Sequence, residues 1–262
     1  RDRLRSRGLG DVYKRQDVNY HREITGEVAE QIRRLIPDMK HKKILVAGIG
    51  NREMAPDALG PMVVDNLFIT RHLIQEYGVH SEITRGMGCV SALAPGVMAQ
   101  TGIETREILL GAVRETRPDV LVVIDALAAR SVKRLNKTIQ ITNTGIAPGA
   151  GVGNRRFGID AEAMGIPVIA IGIPTVIDAA TIVNDTVGNL LAIMDETRNR
   201  LSERIWEGVA PFDEQERYQL MRELMAPEMM NMFVTPKNID EIVRQMSYTL
   251  SEALNSICHS MA

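Results

Sequence analysis

The amino-acid sequence predicts a three-layer α/β fold, in which a mostly parallel sheet carries helices on both faces and a C-terminal helical segment follows. Three observations support this prediction. Continuous apolar runs end in glycine or in an acidic residue, as buried parallel strands often do. Segments with helical apolar spacing separate these runs, which is typical of βαβ units. With 262 residues, the chain is long enough to bury one large core.

Apolar and β-branched runs predict four strands, at 44–51, 120–124, 138–142 and 168–173. Helical periodicity is present at 18–35, 60–72, 102–116 and 175–201. Residues 202–262 lack a strand pattern and predict two or three helices, with Asp213 and Asn238 as candidate N-caps.

The first sixteen residues differ sharply from the rest of the chain. Segment 1–16 is rich in arginine and lacks apolar periodicity, so we interpret it as a non-native or disordered leader and not as a signal peptide. The competing interpretation is a basic arm that binds nucleic acid. The remainder, 17–262, is predicted to form a single α/β domain whose part from about 202 to 262 is helical.

Composition and charge narrow the classes of partner. The net charge of −2 provides no strong field that would recruit nucleic acid or a membrane surface. The apolar runs are interrupted well before membrane-spanning length. Cys89 and Cys258 have no neighbouring cysteine or histidine pair, which favours a reducing, cytoplasmic setting and argues against a zinc motif. We expect no metal and no cofactor.

The densest chemical signal is GIGNREMAPDALGP, residues 48–61, directly after the first predicted strand. Gly48 and Gly50 allow a tight turn, and Asn51 lies in the same loop as a supporting residue. Asp57 falls near the start of the following helix. Because aspartate is a preferred N-cap, Asp57 is about as well explained by a cap as by a functional role.

A second carboxylate follows five apolar residues in VLVVIDALAARS, residues 120–131. A buried strand seldom contains an aspartate such as Asp125 unless it is paired or functional, although it can also bond a neighbouring loop. Since strand ends in a doubly wound sheet meet at one edge, we expect Asp57 and Asp125 to lie together. In such a pair, one carboxylate takes a proton from water while the other, protonated, donates.

Two glycine-rich loops are predicted to contact a ligand. They are SALAPGVMAQTGIET, residues 91–105, and NTGIAPGAGVGNRR, residues 143–156. Repeated glycine allows close backbone approach, here to an extended peptide held by main-chain hydrogen bonds, or else forms ordinary tight connections. In the second loop the candidates are Gly149, Gly151 and Gly153.

Two charged residues are predicted to support the site. Arg130 is a candidate for attracting acidic substrate segments, although surface arginines are more often simply solvated. Asp178 lies in a strand-to-helix passage like that of Asp57, and we interpret it as a support or a cap and not as a catalyst.

Rival motifs fit poorly. The dinucleotide fingerprint needs a small residue at position 53, where this chain has Glu53. A Walker lysine is missing from 149–154, and HExxH, GxSxG and CxxC do not occur. The alternative hypothesis, a non-enzymatic nucleotide-binding or scaffold protein, is therefore supported by the GIGN loop alone.

Together these blocks resemble the germination protease family of spore-forming bacteria, from about Lys43 to Asp185 and again at VTPKNID, residues 234–240. The resemblance implies an endopeptidase of the spore core that degrades small acid-soluble DNA-protecting spore proteins at germination. It also implies a homotetramer, synthesis as a zymogen, and no metal. The family's two required aspartates lie in its PDALGP and IDALA motifs, which here correspond to Asp57 and Asp125.

The same resemblance implies a fold shared with the hydrogenase maturation proteases. A maturation-type peptidase that senses a metal on its substrate is the second hypothesis, since neither aspartate motif contains a histidine. We expect the family's N-terminal portion to lack a counterpart before Asp17 and the region 200–211 to be shortened. For that reason zymogen control is not predicted for this chain.

Overall fold

Six strands form one sheet in the computed structural model, which describes residues 18–149, 157–198 and 232–260, together with 218, 219, 223 and 229. The strands are β1 (Lys43–Ile49), β2 (Cys89–Gly96), β3 (Val120–Ala129), β4 (Gln140–Thr142), β5 (Val168–Asp178) and β6 (Phe233–Val234). Their order is β2-β1-β3-β5-β4, with β6 also paired to β5. The first three strands and β5 run parallel, while β4 and β6 run antiparallel to β5, which confirms the predicted sheet.

The helices of the described residues are α1 (Val18–Leu35), α2 (Leu59–Asp65), α3 (Arg71–Tyr77), α4 (Met98–Thr101), α5 (Thr105–Thr116), α6 (Ala161–Met164), α7 (Ala179–Arg198) and α8 (Ile239–Cys258). The bounds of α1 are those predicted from its apolar spacing. None of these helices is long and apolar enough to cross a membrane.

Alternation along the central strands divides the core into two layers. On β1, Ile44 and Val46 face one layer, while Leu45 and Ala47 face the other. The first layer is completed by α1, α2 and α8, and the second by α5 and α6. Each fully buried leucine or isoleucine contributes about 1.5–3 kcal/mol, so both faces stabilise the sheet. The three-layer prediction is confirmed.

The chain path creates a switch point between β1 and β3. From β1 the chain continues through α2, which packs on the first layer, to reach β2 on one side. From β2 it returns through α5, which packs on the second layer, to reach β3 on the other side of β1. Because the two connections leave on opposite faces, a crevice opens at the carboxyl ends of β1 and β3.

The edge strand β2 was not predicted, because its residues lie in a segment interpreted as a glycine-rich loop. Its sequence, CVSALAPG, has few β-branched residues, and its proline is tolerated because β2 is an edge strand. Backbone pairing with β1 and bonds to Thr70 stabilise this strand despite its low intrinsic β-propensity. β2 is in register with β1, and Thr70 exchanges bonds with Val90, whose N–H donates to the Thr70 hydroxyl at 3.0 Å.

Three predicted helices have different bounds. Segment 60–72 is divided into α2 and α3, and the Asn66 side chain donates to the Met62 carbonyl at the break. Segment 102–116 becomes α5, with the short α4 placed before it. The helix predicted from position 175 begins at Ala179, because the preceding residues continue β5 and pair with β3 and β6.

Among the described residues of the C-terminal part, a short strand replaces part of the predicted helical segment. Phe233 and Val234 form the short strand β6 where only helices were expected. Asn238 is the N-cap residue of α8 as predicted, but its side chain makes no capping bond. The cap predicted at Asp213 lies outside the described residues.

Candidate active site

A cavity of about 670 Å³ lies at the switch point. Its lining comes from the end of β1, the β1–α2 loop, the second half of β3, the β4 region and β5. The residues that line it include Ile49, Gly50, Asp57, Asp125, Ala126, Arg130, Arg134, Gln140, Gly149, Thr175 and Phe233. The structure therefore brings both predicted aspartates to one cavity.

Asp57 is positioned by the loop that follows β1. It closes a 3-10 turn, Ala55–Asp57, in which its N–H donates to the Met54 carbonyl at 2.8 Å. The backbone N–H of Asn51 donates to Asp57 Oδ2 at 2.7 Å. Helix α2 has Ala58 as its N-cap residue, without a side-chain capping bond. The carboxylate of Asp57 is thus oriented by a loop amide and half exposed toward the cavity.

Two glycines allow this loop to fold back onto the next helix. A Cβ at Gly48 would lie 2.1 Å from the Gly60 carbonyl oxygen. Gly50 has φ of 126°, and a Cβ there would lie 2.0 Å from the Asp57 carbonyl oxygen. The GIGN glycines therefore serve close internal packing around Asp57.

Asp125 lies within β3, not at its end, because β3 continues to Ala129 beside β5. Asp125 nevertheless follows the end of the pairing with β1, which stops at Gly48↔Ile124. Asp125 is the first β3 residue beyond that point. It is only 4% exposed, and its Oδ1 accepts a bond from the Ala126 N–H at 2.9 Å.

Asn51 lies outside the cavity lining but fixes the loop that holds Asp57. Its Oδ1 accepts from the Glu53 N–H at 3.0 Å and from Gln100 Nε2 at 2.9 Å. Sequence reasoning missed Gln100, which follows β2 on α4. Gln100 lies within the glycine-rich block 91–105, but no pattern identified the glutamine as the partner of Asn51.

The remaining predicted residues fall into three groups. Arg130 and Gly149 line the cavity, and Gly151 and Gly153 lie outside the described residues. Asp178 caps α7: its Oδ1 accepts from the Thr181 N–H at 2.8 Å, and its Oδ2 accepts from the Thr181 hydroxyl at 2.6 Å. It is not among the cavity-lining residues.

Cysteine chemistry is disfavoured by burial. Desolvation raises the pKa of Cys258 to about 12. It also raises the pKa of Cys89, while the charges of Arg71 and Lys43 act in the opposite direction. Both thiols stay protonated at neutral pH and neither lines the cavity, so neither supplies a ready thiolate nucleophile.

The cavity contains two carboxyl groups, those of Asp57 and Asp125, that can act in acid–base catalysis. Within the described ranges, no group of three or more His, Cys, Asp or Glu residues is placed to hold a metal ion. A buried carboxyl and a half-exposed one, lining the same cavity, can divide the roles of acid and base in a hydrolysis.

Residues 9–208 match the family model described as germination protease. A germination protease from Caldanaerobacter subterraneus subsp. tengcongensis is 43% identical over 240 residues, covering 92% of this chain and 73% of its own length. That of Bacillus subtilis is 37% identical over 278 residues, covering 94% and 75%. Among solved structures, the NiFe hydrogenase maturation protease HycI from Thermococcus kodakarensis aligns at a TM-score of 0.41 and 16% identity, over 86% of this chain and 97% of that chain.

Proposed function

This chain belongs to the germination protease family, and from that premise we propose that it begins the degradation of small acid-soluble DNA-protecting spore proteins by activating water at Asp57 and Asp125. Family membership makes the chain a peptidase of spore germination. The proposal adds the substrate and the mechanism. The observation that supports it is the convergence of both aspartates on one cavity at the switch point.

The mechanism divides the work between two carboxyl groups. Two neighbouring carboxyls favour a state in which one holds a proton and the other is charged. The charged group removes a proton from water, and the water oxygen attacks the scissile carbonyl carbon. The protonated group donates to the carbonyl oxygen or to the leaving amine nitrogen. When the C–N bond breaks, the products are a carboxylic acid and an amine.

Charge along the cavity supports an acidic flank on the substrate. Arg130 and Arg134 are exposed and line the same cavity as the aspartates. Guanidinium groups form bidentate bonds with carboxylates, which are stronger than neutral hydrogen bonds. We propose that these arginines attract acidic side chains next to the cleaved bond.

The experiment replaces each aspartate with asparagine, which keeps the size of the side chain and removes its acid–base function. Asp57→Asn and Asp125→Asn are expected to lose cleavage of a purified small acid-soluble spore protein, measured by gel and mass spectrometry. Asp160→Asn is the matched control, because Asp160 caps α6 and asparagine caps equally well. Circular dichroism checks the fold. Wild-type cleavage by either aspartate variant would overturn the mechanism.

We also propose a homotetramer in the spore core, which rests on the family resemblance alone. Sedimentation velocity of the purified chain measures its assembly. A monomer at micromolar concentration would contradict the tetramer without affecting the proposed chemistry.

A further inference from the structure

Strand β3 extends beyond its neighbour β1 and leaves one edge open. Pairing with β1 ends at Gly48↔Ile124, whereas pairing with β5 continues to Ala129↔Ile177. No strand of the described residues pairs with the β1 side of β3 after Ile124. Ala126, Leu127 and Ala128 become half exposed at this point. An open strand edge of this kind is a template for pairing with another chain.

The orientation of the backbone identifies which β3 groups face the open edge. The Leu121 N–H donates to the Pro167 carbonyl at 3.0 Å, on the β5 side. In a parallel ladder, successive residues direct their amide groups alternately to the two neighbours. The even-numbered residues therefore face the β1 side. The Ile124 carbonyl oxygen also lies close to α2, where a Cβ on Gly60 would approach it within 2.6 Å.

By this alternation Ala126 faces the open edge, and Ala128 follows it beyond a shift in register with β5 between Leu127 and Ala128. The Ala126 N–H donates to Asp125 Oδ1, so the Asp125 carboxylate itself lies along this edge. Both alanines line the cavity that contains Asp57. Their side chains are small, which allows another backbone to approach.

We infer that the peptide substrate binds as an additional strand on the open edge of β3, paired with the Ala126 carbonyl oxygen and with the backbone of Ala128, while the Ala126 N–H stays bonded to Asp125 Oδ1. This inference rests on the proposed function and specifies how that site holds its substrate. The added strand occupies the position that β1 would take if it continued, about 4.8 Å from β3. There its backbone passes Asp125 on one side and the loop carrying Asp57 on the other.

The occupant is an extended, unfolded segment with acidic side chains. Main-chain pairing supplies affinity without demanding a particular sequence, and it requires a segment free of its own secondary structure. Arg130 and Arg134 line the same cavity and complement acidic residues in that segment.

The test uses a synthetic peptide that spans the bond this protein cleaves in a small acid-soluble spore protein. A series of peptides carries one backbone N-methyl group each, moved residue by residue away from the scissile bond. Strand pairing predicts an effect that alternates from one residue to the next. Methylation at every second position lowers kcat/KM roughly tenfold or more, and methylation at the positions between leaves kcat/KM close to that of the unmodified peptide. The effect appears mainly in KM.

A matched series replaces the same amides with esters, which removes the N–H without adding bulk. The same alternation in both series supports strand addition. Equal tolerance at all positions, or a loss without a period of two, would overturn it. Failure to cleave the unmodified peptide and the intact protein would contradict the proposed function instead, so the two failures are distinguishable.

Discussion

Asp57 and Asp178 occupy the same local setting, a passage from a parallel strand to a helix, but their bonds differ. Asp178 directs both carboxylate oxygens to Thr181 in the first turn of its own helix. Asp57 accepts from the Asn51 amide in the preceding loop, and α2 begins without a side-chain cap. One aspartate stabilises the helix that follows it. The other is held by the loop before it and lines the cavity.

The difference shows that the partner of a carboxylate, and not its position in the chain, separates a cap from a candidate catalyst. A short 3-10 turn that ends at Asp57 precedes α2, whose N-cap residue is Ala58. Asp178 is followed directly by α7. Variants at the two positions should therefore affect different properties.

The largest expected effect is on catalysis. Asp57→Asn should lower kcat/KM by roughly 10²–10⁴-fold, the range for loss of an acid–base group. Asp178→Asn should leave kcat/KM close to wild type, because asparagine also caps helices. Initial rates on a purified small acid-soluble spore protein measure both variants. Equal losses at the two positions would remove the distinction between them.

The second effect concerns the loop that holds Asp57. Gly50→Ala should lower the free energy of unfolding by about 3 kcal/mol or more, because the backbone is strained for alanine and the methyl group meets the Asp57 carbonyl. Gly102→Ala is the control: Gly102 has φ of 71° but no atom within 4 Å of its Cβ position, so the cost is about 1 kcal/mol. Urea denaturation measures both. A similar cost for both would mean that the contact with Asp57 is easily relaxed.

The third effect isolates the cap. Asp178→Ala should lower the free energy of unfolding by about 1 kcal/mol, because two bonds to Thr181 are lost. Asp178→Asn should retain most of that stability. Thermal denaturation compares the two variants, and cleavage rates measured well below the melting temperature should match wild type. A large loss of activity in Asp178→Ala would place Asp178 closer to the chemistry than its bonds indicate.

Much of the central sheet follows from the sequence, because the runs at Ile44 and Val120 are fully buried and need no partner to be recognised. The edge strand β2 does not, since its assignment depends on register with β1 and on the Thr70 hydroxyl. The extension of β5 through Ile177 likewise depends on pairing with β6. Local patterns describe a residue's own preference, and these segments are set by their neighbours.

The same reasoning applies to the site. The convergence of Asp57 and Asp125 on one cavity was predictable, since strand order places both at the switch point. The role of Gln100 was not predictable, because Gln100 bonds to Asn51, whose backbone N–H in turn bonds to Asp57. The open edge of β3 was not predictable either, because it depends on the residue at which β1 stops pairing with β3.

The smallest expected effect is on the pH dependence of folding stability. It distinguishes a contribution from His259, outside the cavity, from a contribution of the carboxyl groups in the cavity. His259 directly follows α8 and is far from both aspartates in sequence. Its Nδ1 accepts a hydrogen bond from the Gly88 N–H at 3.1 Å. Its Nε2 contacts the Phe68 carbonyl oxygen at 3.1 Å. Burial lowers the pKa of His259, although the bond to Phe68 acts in the opposite direction. Folding therefore favours the neutral imidazole, whose Nδ1 is free to accept the Gly88 bond.

Because the folded-state pKa of His259 lies below that of the unfolded chain, the unfolded state binds more protons as pH falls. The stabilisation is present above the unfolded pKa of about 6.5 and is lost as pH falls toward the folded value. Melting temperatures between pH 8 and pH 5 should therefore decline more steeply in wild type than in His259→Gln. The same melting temperatures are measured for His80→Gln, a substitution at an exposed histidine, for comparison. Parallel slopes for wild type and His259→Gln would assign the acid sensitivity to other groups, with the cavity carboxyls the first to be tested.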